Sequence, residues 1–314
     1  MYPYAVIDLH CDTLTSCLLE TPIEDTLNDP RSALALSRLP RNPHWAQCFA
    51  IFVDDELDTS ASMAFYDQYQ ASFTHQMAKF SHLASPCRTA ADIEAAWKVG
   101  KTAAILTVEN GSALGGQLNR VDQMARDGVK ILTLTWNGAN EIGSGVKASG
   151  GLTAFGRAVI PRMEELGITL DVSHLNDETF WAVLDRASLP FVATHSNARS
   201  ICSHPRNLTD DQIRAMVERD CLIGLNYADY FLRDECNATF DDLRRHIDHF
   251  LDLGAETCLA LGSDYDGADI PDWLDTPEKE ADLYGRLLES GYPDSFCDKL
   301  MHQNALSFFR SNWI

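Results

Sequence analysis

Short unbroken runs of apolar residues recur along the chain, separated by longer stretches in which apolar positions fall three and four apart. Eight such runs stand out: Ala5 to His10, Gln47 to Val53, Ala103 to Glu109, Val129 to Thr135, Ile168 to Ser173, Phe191 to Thr194, Leu222 to Asn226 and Cys258 to Gly262. Continuous rather than alternating hydrophobicity is the pattern of strands covered on both faces, as in a parallel sheet. Helical spacing follows them over Ala61 to Leu83, Asp92 to Val99, Asn119 to Arg126, Ala154 to Leu166, Asp177 to Arg186, Asp210 to Glu218 and Asp241 to Leu253. Two more helices are predicted near Glu278 to Ser290 and Ser295 to Phe309. The first crossover, residues 13 to 46, is rich in Pro and polar residues and yields no element. Eight strand-then-helix repeats without a Pro/Gly/Ser linker predict an α/β fold, a (β/α)8 TIM barrel forming a single domain over residues 1–314. An open doubly wound sheet is the alternative.

Composition narrows the partners. The 314 residues are 45% hydrophobic, enough for a large core, and carry 46 acidic against 25 basic residues, a formal charge of -21. Such a surface repels phosphate backbones and anionic lipid heads, which argues against nucleic acid and membrane partners. There is no transmembrane run, and the stretch from Met1 to Leu9 has no basic leader and is broken by a charge at Asp8, so a cytoplasmic protein is expected. The nine cysteines, Cys17 among them, form no CxxC pair; they read as small buried apolar residues rather than disulfides or thiolate ligands.

In a barrel of this kind the chemistry sits at the C-terminal ends of the strands, and that is where the polar residues fall. His10 and Asp12, two apart in extended chain, point to one face. Glu109 ends the third run, His174 the fifth, His195 the sixth, and Asp264 follows the eighth with Asp266 beyond it. Each alone has a plainer explanation: a hydrogen-bonded histidine, a cap, a solvated carboxylate. Five ligand-type residues on four strand ends together describe a site for two divalent metals about 3.5–4 Å apart, which needs imidazoles, terminal carboxylates and one bridging carboxylate. Glu109 is the natural bridge. The nitrogen and oxygen donors suit zinc, with cobalt or manganese as alternatives.

The same residues carry a resemblance. Asp8-Leu9-His10-Cys11-Asp12, Val108-Glu109-Asn110-Gly111, Leu132 to Asn137, Asp171-Val172-Ser173-His174, Thr194 to Arg199 running on to Arg206-Asn207, and Gly262 to Gly267 occur in the order of the membrane dipeptidase (renal dipeptidase) family. The chain resembles that family from residue 8 to residue 267. The resemblance implies a barrel hydrolase with two Zn2+ per chain joined by a bridging water or hydroxide. His10 and Asp12 would ligate one zinc, His174 and His195 the other, and Glu109 both. It implies Asp264 as catalytic acid/base and Arg206, with Arg199 as competitor, as the group that holds the free carboxylate of a dipeptide. It further implies acceptance of L-Xaa-D-Xaa substrates, and a homodimer.

Two positions depart from the family. Trp136 stands where mammalian members have a histidine on the scissile carbonyl, which leaves that role vacant or passes it to Asn137 or a metal. Ala228 stands where an aromatic is common, with Tyr227 or Tyr230 to compensate in binding substrate. Neither the secretion signal nor the lipid-anchor tail of the mammalian enzymes is expected of this protein. Glycines between Gly138 and Gly151 suggest a flexible loop after the fourth run, with a lid and a generic connection as the two readings. Gly100-Lys101-Thr102 is no phosphate loop, because a strand follows it rather than precedes it. Two other functions fit the pattern: a related barrel amidohydrolase or lactonase acting on another small substrate, and a metal-bound, non-catalytic binding barrel.

Overall fold

Nine parallel strands organise the computed structural model, which describes residues 5–15, 23–40 and 43–313. They are β1 (Ala5–Cys11), β2 (His44–Phe52), β3 (Ala84–Pro86), β4 (Thr102–Glu109), β5 (Ile131–Thr133), β6 (Thr169–Asp171), β7 (Val192–Ala193), β8 (Leu222–Leu225) and β9 (Leu259–Leu261). Eight pair in the order β2-β1-β9-β8-β7-β6-β5-β4, and β2 pairs again with β4 to close the ring. That closure runs from Ala46 opposite Ala103 to Phe52 opposite Glu109. It decides for the closed TIM barrel over the open doubly wound sheet, in a single domain.

All eight apolar runs hold a barrel strand, and from β5 onward the strands are shorter than the runs. The run from Val129 to Thr135, for instance, contributes only Ile131–Thr133 to the ladder. Residues past the last ladder bond are released to turn inward over the rim, which is where the polar groups lie. The extra strand β3 lies outside the ring against Thr102, Ala103 and Ala104. It escaped the sequence reading because three residues ending in Pro carry no periodicity.

Helices follow the strands as expected: α1 (Thr59–Lys79), α2 (Ala90–Lys98), α3 (Asn119–Asp127), α4 (Ala154–Glu165), α5 (Asp177–Arg186), α6 (Asp210–Glu218), α7 (Asp229–Leu232), α8 (Phe240–Asp252), α9 (Pro277–Glu289), α10 (Asp294–Asp298) and α11 (Asn304–Asn312). Local sequence sets their starts. Thr89 with Asp92, and Thr209 with Gln212, form reciprocal capping boxes that satisfy the free amides of α2 and α6. The first crossover contains a short turn, Thr26–Asn28, docked on α1 by the Leu27 amide donating to Gln76 Oε1 at 2.8 Å. Residues 16–22 and 41–42 of that crossover, Cys17 included, lie outside the described residues.

The core lies between strands and helices. Ile7 and Leu9 on β1 face outward into a cluster with Trp97 of α2 and Phe309 of α11, all essentially without solvent contact. Full burial of each such side chain contributes about 1.5–3 kcal/mol. With its outward face saturated by apolar packing, β1 turns Asp8 and His10 into the barrel. No helix among the described residues is long and apolar enough to cross a membrane.

Candidate metal centre

His10 and Asp12 stand at the end of β1, Glu109 at the end of β4, and His174, His195 and Asp264 just past β6, β7 and β9. All six are buried, none more than 8% exposed. Glu109 is central: Oε1 lies 2.8 Å from His174 Nε2 and 3.7 Å from His195 Nε2, while Oε2 lies 3.4 Å from His10 Nε2. His10 Nε2 also stands 3.6 Å from Asp12 Oδ2 and 3.7 Å from Asp264 Oδ1. Two triads result, Glu109/His174/His195 and His10/Asp12/Glu109, each with donor atoms within 4.8 Å of one another, and a third joins His10, His195 and Asp264. The expected ligands are thus brought together, with each oxygen of Glu109 facing different histidines.

The backbone bends to achieve this. Strand β1 changes register against β2 between Asp8 and Cys11, where the ladder resumes with Cys11 opposite Phe49, and on its other side the Asp12 amide donates to the Tyr265 carbonyl at 2.9 Å. His174 and Asp264 adopt left-handed φ of 69° and 66°, conformations that cost energy for non-glycine residues and concentrate at functional sites. Gly267 closes over the centre; a Cβ there would lie 2.0 Å from Asp12 Oδ2, so a larger residue would displace the Asp12 carboxylate.

A layer beneath orients the imidazoles. Asp171 accepts hydrogen bonds from the Thr133 and Thr194 hydroxyls, each 2.6 Å, and from the Ser173 and Thr194 amides, each 2.9 Å. Since the Thr194 hydroxyl donates to Asp171, it accepts from His195 Nδ1–H at 2.7 Å, which leaves the Nε2 lone pair free. His174 Nδ1–H donates to Asn137 Oδ1 at 3.0 Å with the same result. On the other side Asp8 accepts from the Ser263 hydroxyl (2.6 Å) and amide (2.8 Å) and from Gln47 Nε2 (2.8 Å), locking β1 to its neighbours below His10. Asp171, Thr194 and Asp8 went unassigned in the sequence, although each sits beside a residue that was singled out.

The electrostatics suit a cation. Burial, reinforced by Arg206, pushes His174 far below the usual imidazole range, and burial with His10 and Arg206 does the same to His195, so both imidazoles are neutral. Burial works against a charge on His10, but Glu109 and Asp12 outweigh it and raise its pKa. Burial pushes Glu109 up to about 7 against the pull of His10. His10 Nε2 and Asp12 Oδ1 are buried and have no hydrogen-bond partner among the described residues. The Nε2 atoms of His174 and His195 lie 3.0 Å apart. Two lone pairs aimed at one point, beside an orphaned imidazole nitrogen and carboxylate oxygen, fit metal ions and little else.

Above the centre opens a cavity of about 540 Å3. Arg206 lines it, buried, with Nη2 donating to the His195 carbonyl at 3.2 Å. Arg199 is engaged elsewhere, paired through both Nη atoms with Asp177 at 2.8 Å. Asn137 reaches the wall with its oxygen committed to His174, and Trp136 borders it edge-on to Phe52, 5.0 Å between centroids. Tyr227 does not reach the cavity. It is fully buried and its hydroxyl donates to Glu280 Oε1 at 3.1 Å, while Tyr230 and Phe231 line the wall. Asn226, unassigned in the sequence, donates from Nδ2 to Asp264 Oδ2 at 3.0 Å. The glycine-rich loop is bonded by its backbone to the rim: the Gly145, Val146 and Lys147 amides donate to the Gly138, His174 and Asn137 carbonyls at 2.7, 2.9 and 2.8 Å.

The family model for membrane dipeptidase (Peptidase family M19) matches residues 1–312. The chain belongs to the membrane dipeptidase family. Among solved structures it is similar to a dipeptidase AC, a metallopeptidase of family M19 (27% identity, TM-score 0.93, 99% of each chain covered). It is also similar to a metallopeptidase from Rhodobacter sphaeroides liganded with a phosphinate mimic of the dipeptide L-Ala-D-Ala (28% identity, TM-score 0.90, 99% of each chain). An uncharacterized protein in the pqqA 5' region of Klebsiella pneumoniae is 36% identical over 239 residues, 72% of this chain and 88% of that protein.

A membrane dipeptidase family member is a metal-dependent hydrolase of small peptides, and the rim described above is where this one offers donors for a metal. The Thr194 relay gives a direct check. Thr194→Val keeps the shape, breaks the link from Asp171 to His195 Nδ1, and is expected to weaken metal binding about 10–100-fold with the fold intact. Metal titration with a chelating competitor, alongside circular dichroism, measures both quantities.

Proposed function

We propose that the chain is a binuclear zinc dipeptidase acting on dipeptides, L-Xaa-D-Xaa members included. The observation that carries this reading is the division of Glu109 between two histidine groups, one oxygen toward His174 and His195 and the other toward His10. In it, His10 and Asp12 hold one zinc, His174 and His195 the other, and Glu109 bridges them. Bound there, the ions would acidify a water so that it is a nucleophile at neutral pH, and would polarise the scissile carbonyl.

The chain's own residues do the rest. Asp264, anchored by Asn226 and raised in pKa by burial, takes the proton of the attacking water and delivers it to the leaving amine. Arg206 offers a planar fork to the free carboxylate, since its Nε is buried without a partner among the described residues. Asn137 acts through His174, and Tyr230 takes the wall position expected of Tyr227. The cytoplasm is the proposed compartment, in keeping with the free thiols of the described cysteines. A homodimer, the proposed assembly, rests on the family resemblance alone.

A substrate panel tests the reading. Zinc-loaded protein is expected to cleave dipeptides, L-Xaa-D-Xaa included, but not the corresponding tripeptides, and the chelated form to cleave neither. Two bound metals with no dipeptide cleavage would overturn it in favour of another small amide or lactone substrate.

A further inference from the structure

Asn137 has an amide with two ends, and the metal centre accounts for one of them. Its Oδ1 accepts from His174 Nδ1–H at 3.0 Å. An amide group is planar, so the bond that fixes Oδ1 also sets the direction of Nδ2 and its two donor hydrogens. Asn137 lines the cavity, and Nδ2 has no hydrogen-bond partner among the described residues. A donor placed so on a cavity wall is satisfied by solvent or by substrate.

The segment that carries this donor is held on several sides. The Gly138 amide donates to Asp55 Oδ2 at 2.6 Å, and the Lys147 amide to the Asn137 carbonyl at 2.8 Å. Asn140 Nδ2 donates to the Leu134 carbonyl at 2.9 Å and to Asn110 Oδ1 at 2.8 Å. Gly145 packs so closely that a Cβ there would lie 2.0 Å from the Trp136 carbonyl oxygen. A donor fixed in advance costs no reorganisation when charge develops in front of it.

Its place is next to the chemistry. The imidazole that Asn137 holds by Nδ1 brings its Nε2 to 2.8 Å from Glu109 Oε1. The other donor side chains named on that wall are Trp136, Lys147, His204, Arg206 and Tyr230, and none of them is hydrogen-bonded to a side chain of the metal triads among the described residues. Trp136 packs edge-on against Phe52, its ring centre 6.3 Å from that of His174.

We infer that Asn137, besides orienting His174, donates from Nδ2 to the scissile carbonyl oxygen as that oxygen gains negative charge. It thereby fills the role that a histidine holds at the position of Trp136 in mammalian members of the family. The water gives a proton to Asp264 as its oxygen bonds to the carbonyl carbon, and the π pair moves onto the carbonyl oxygen, where Nδ2–H meets it. The pair returns as the C–N bond breaks, and the amine leaves with the proton from Asp264. The inference rests on the dipeptidase reading and adds a catalytic residue to it.

The test uses full-length protein and a dipeptide that the native enzyme cleaves. N137A loses both bonds: zinc is expected to bind about 10–100-fold more weakly, through the lost link to His174. At saturating zinc its kcat should still stand about a hundredfold below native with KM little changed, because one lost oxyanion donor costs about 100- to 1,000-fold. N137D keeps an oxygen for His174 Nδ1–H and loses the donor, so zinc affinity should hold while kcat falls at least as far. A phosphinate mimic of the dipeptide imitates the tetrahedral carbon, and calorimetry should find its affinity for zinc-saturated N137A lowered in step with kcat/KM. Native kcat in zinc-saturated N137A, or unchanged phosphinate affinity, would make Asn137 a support for His174 alone and overturn the inference. A hundredfold loss in W136F with N137A unaffected would overturn it in favour of the indole N–H. Cleavage of no dipeptide by the native protein overturns the dipeptidase reading itself, and this inference with it.

Discussion

Replacing Asp264 with Asn is expected to lower kcat for dipeptide cleavage by about a thousandfold while both metals stay bound. General acid–base work by a placed side chain contributes about 100- to 10,000-fold, and an amide can neither accept the proton from water nor pass it on. The substitution is mild in other respects. Asp264 holds a left-handed φ of 66°, a conformation that Asn tolerates better than most residues, and the bond from Asn226 needs only an oxygen, which the amide retains. Metal analysis beside kinetics separates two roles, since Asp264 also shares a triad with His10 and His195. Loss of metal together with activity would make it a ligand. Near-native turnover would remove it from the mechanism.

Glu109→Gln is expected to strip both metals, where His174→Ala should cost only one. A second-layer partner of a metal ligand is worth about 10–100-fold in affinity, so loss of a charged ligand shared by two ions should exceed about 100-fold at each position. Metal content after dialysis at fixed free zinc reads the result, and retention of one full equivalent by Glu109→Gln would refute the bridge. The native protein should show a matching pH dependence. Glu109, held near pH 7 by burial against the pull of His10, and His10, raised by Glu109 and Asp12 against its own burial, must both be free of protons to ligate. Zinc affinity therefore falls as pH drops through about 7. In the metal-free protein the linkage runs the other way: folded pKa values above their unfolded counterparts favour the folded state at low pH. Stability from these groups is lost as pH rises from 4.5 to about 7 for Glu109 and further for His10. Metal binding relieves that loss.

Much of this site was legible before any coordinates because its information is local. The two-residue spacing of His10 and Asp12 is a property of extended chain, and Glu109 ends an apolar run that only a covered strand explains. Strand count, order of elements and the converging rim followed from the same periodicities. By itself the sequence determined eight strand-then-helix repeats, the functional end of the strands, and the residue types that meet there. Tertiary structure alone decided the contacts between residues far apart in the chain. Closure of β2 on β4 excluded the open sheet, a pairing that no run of residues encodes. Arg199 and Arg206 are indistinguishable in sequence until Asp177, at the start of α5, captures the first and leaves the second to the cavity. Tyr227 lost its place because Glu280, 53 residues on, holds its hydroxyl on the far side of the wall. The loop from Gly138 to Gly151 is held rather than free because its amides find the His174 and Asn137 carbonyls. Periodicity reports which face of an element is buried, since that depends on neighbours along the chain. Which partner a polar group finds depends on loop closure between distant segments, and only the folded chain brings those together.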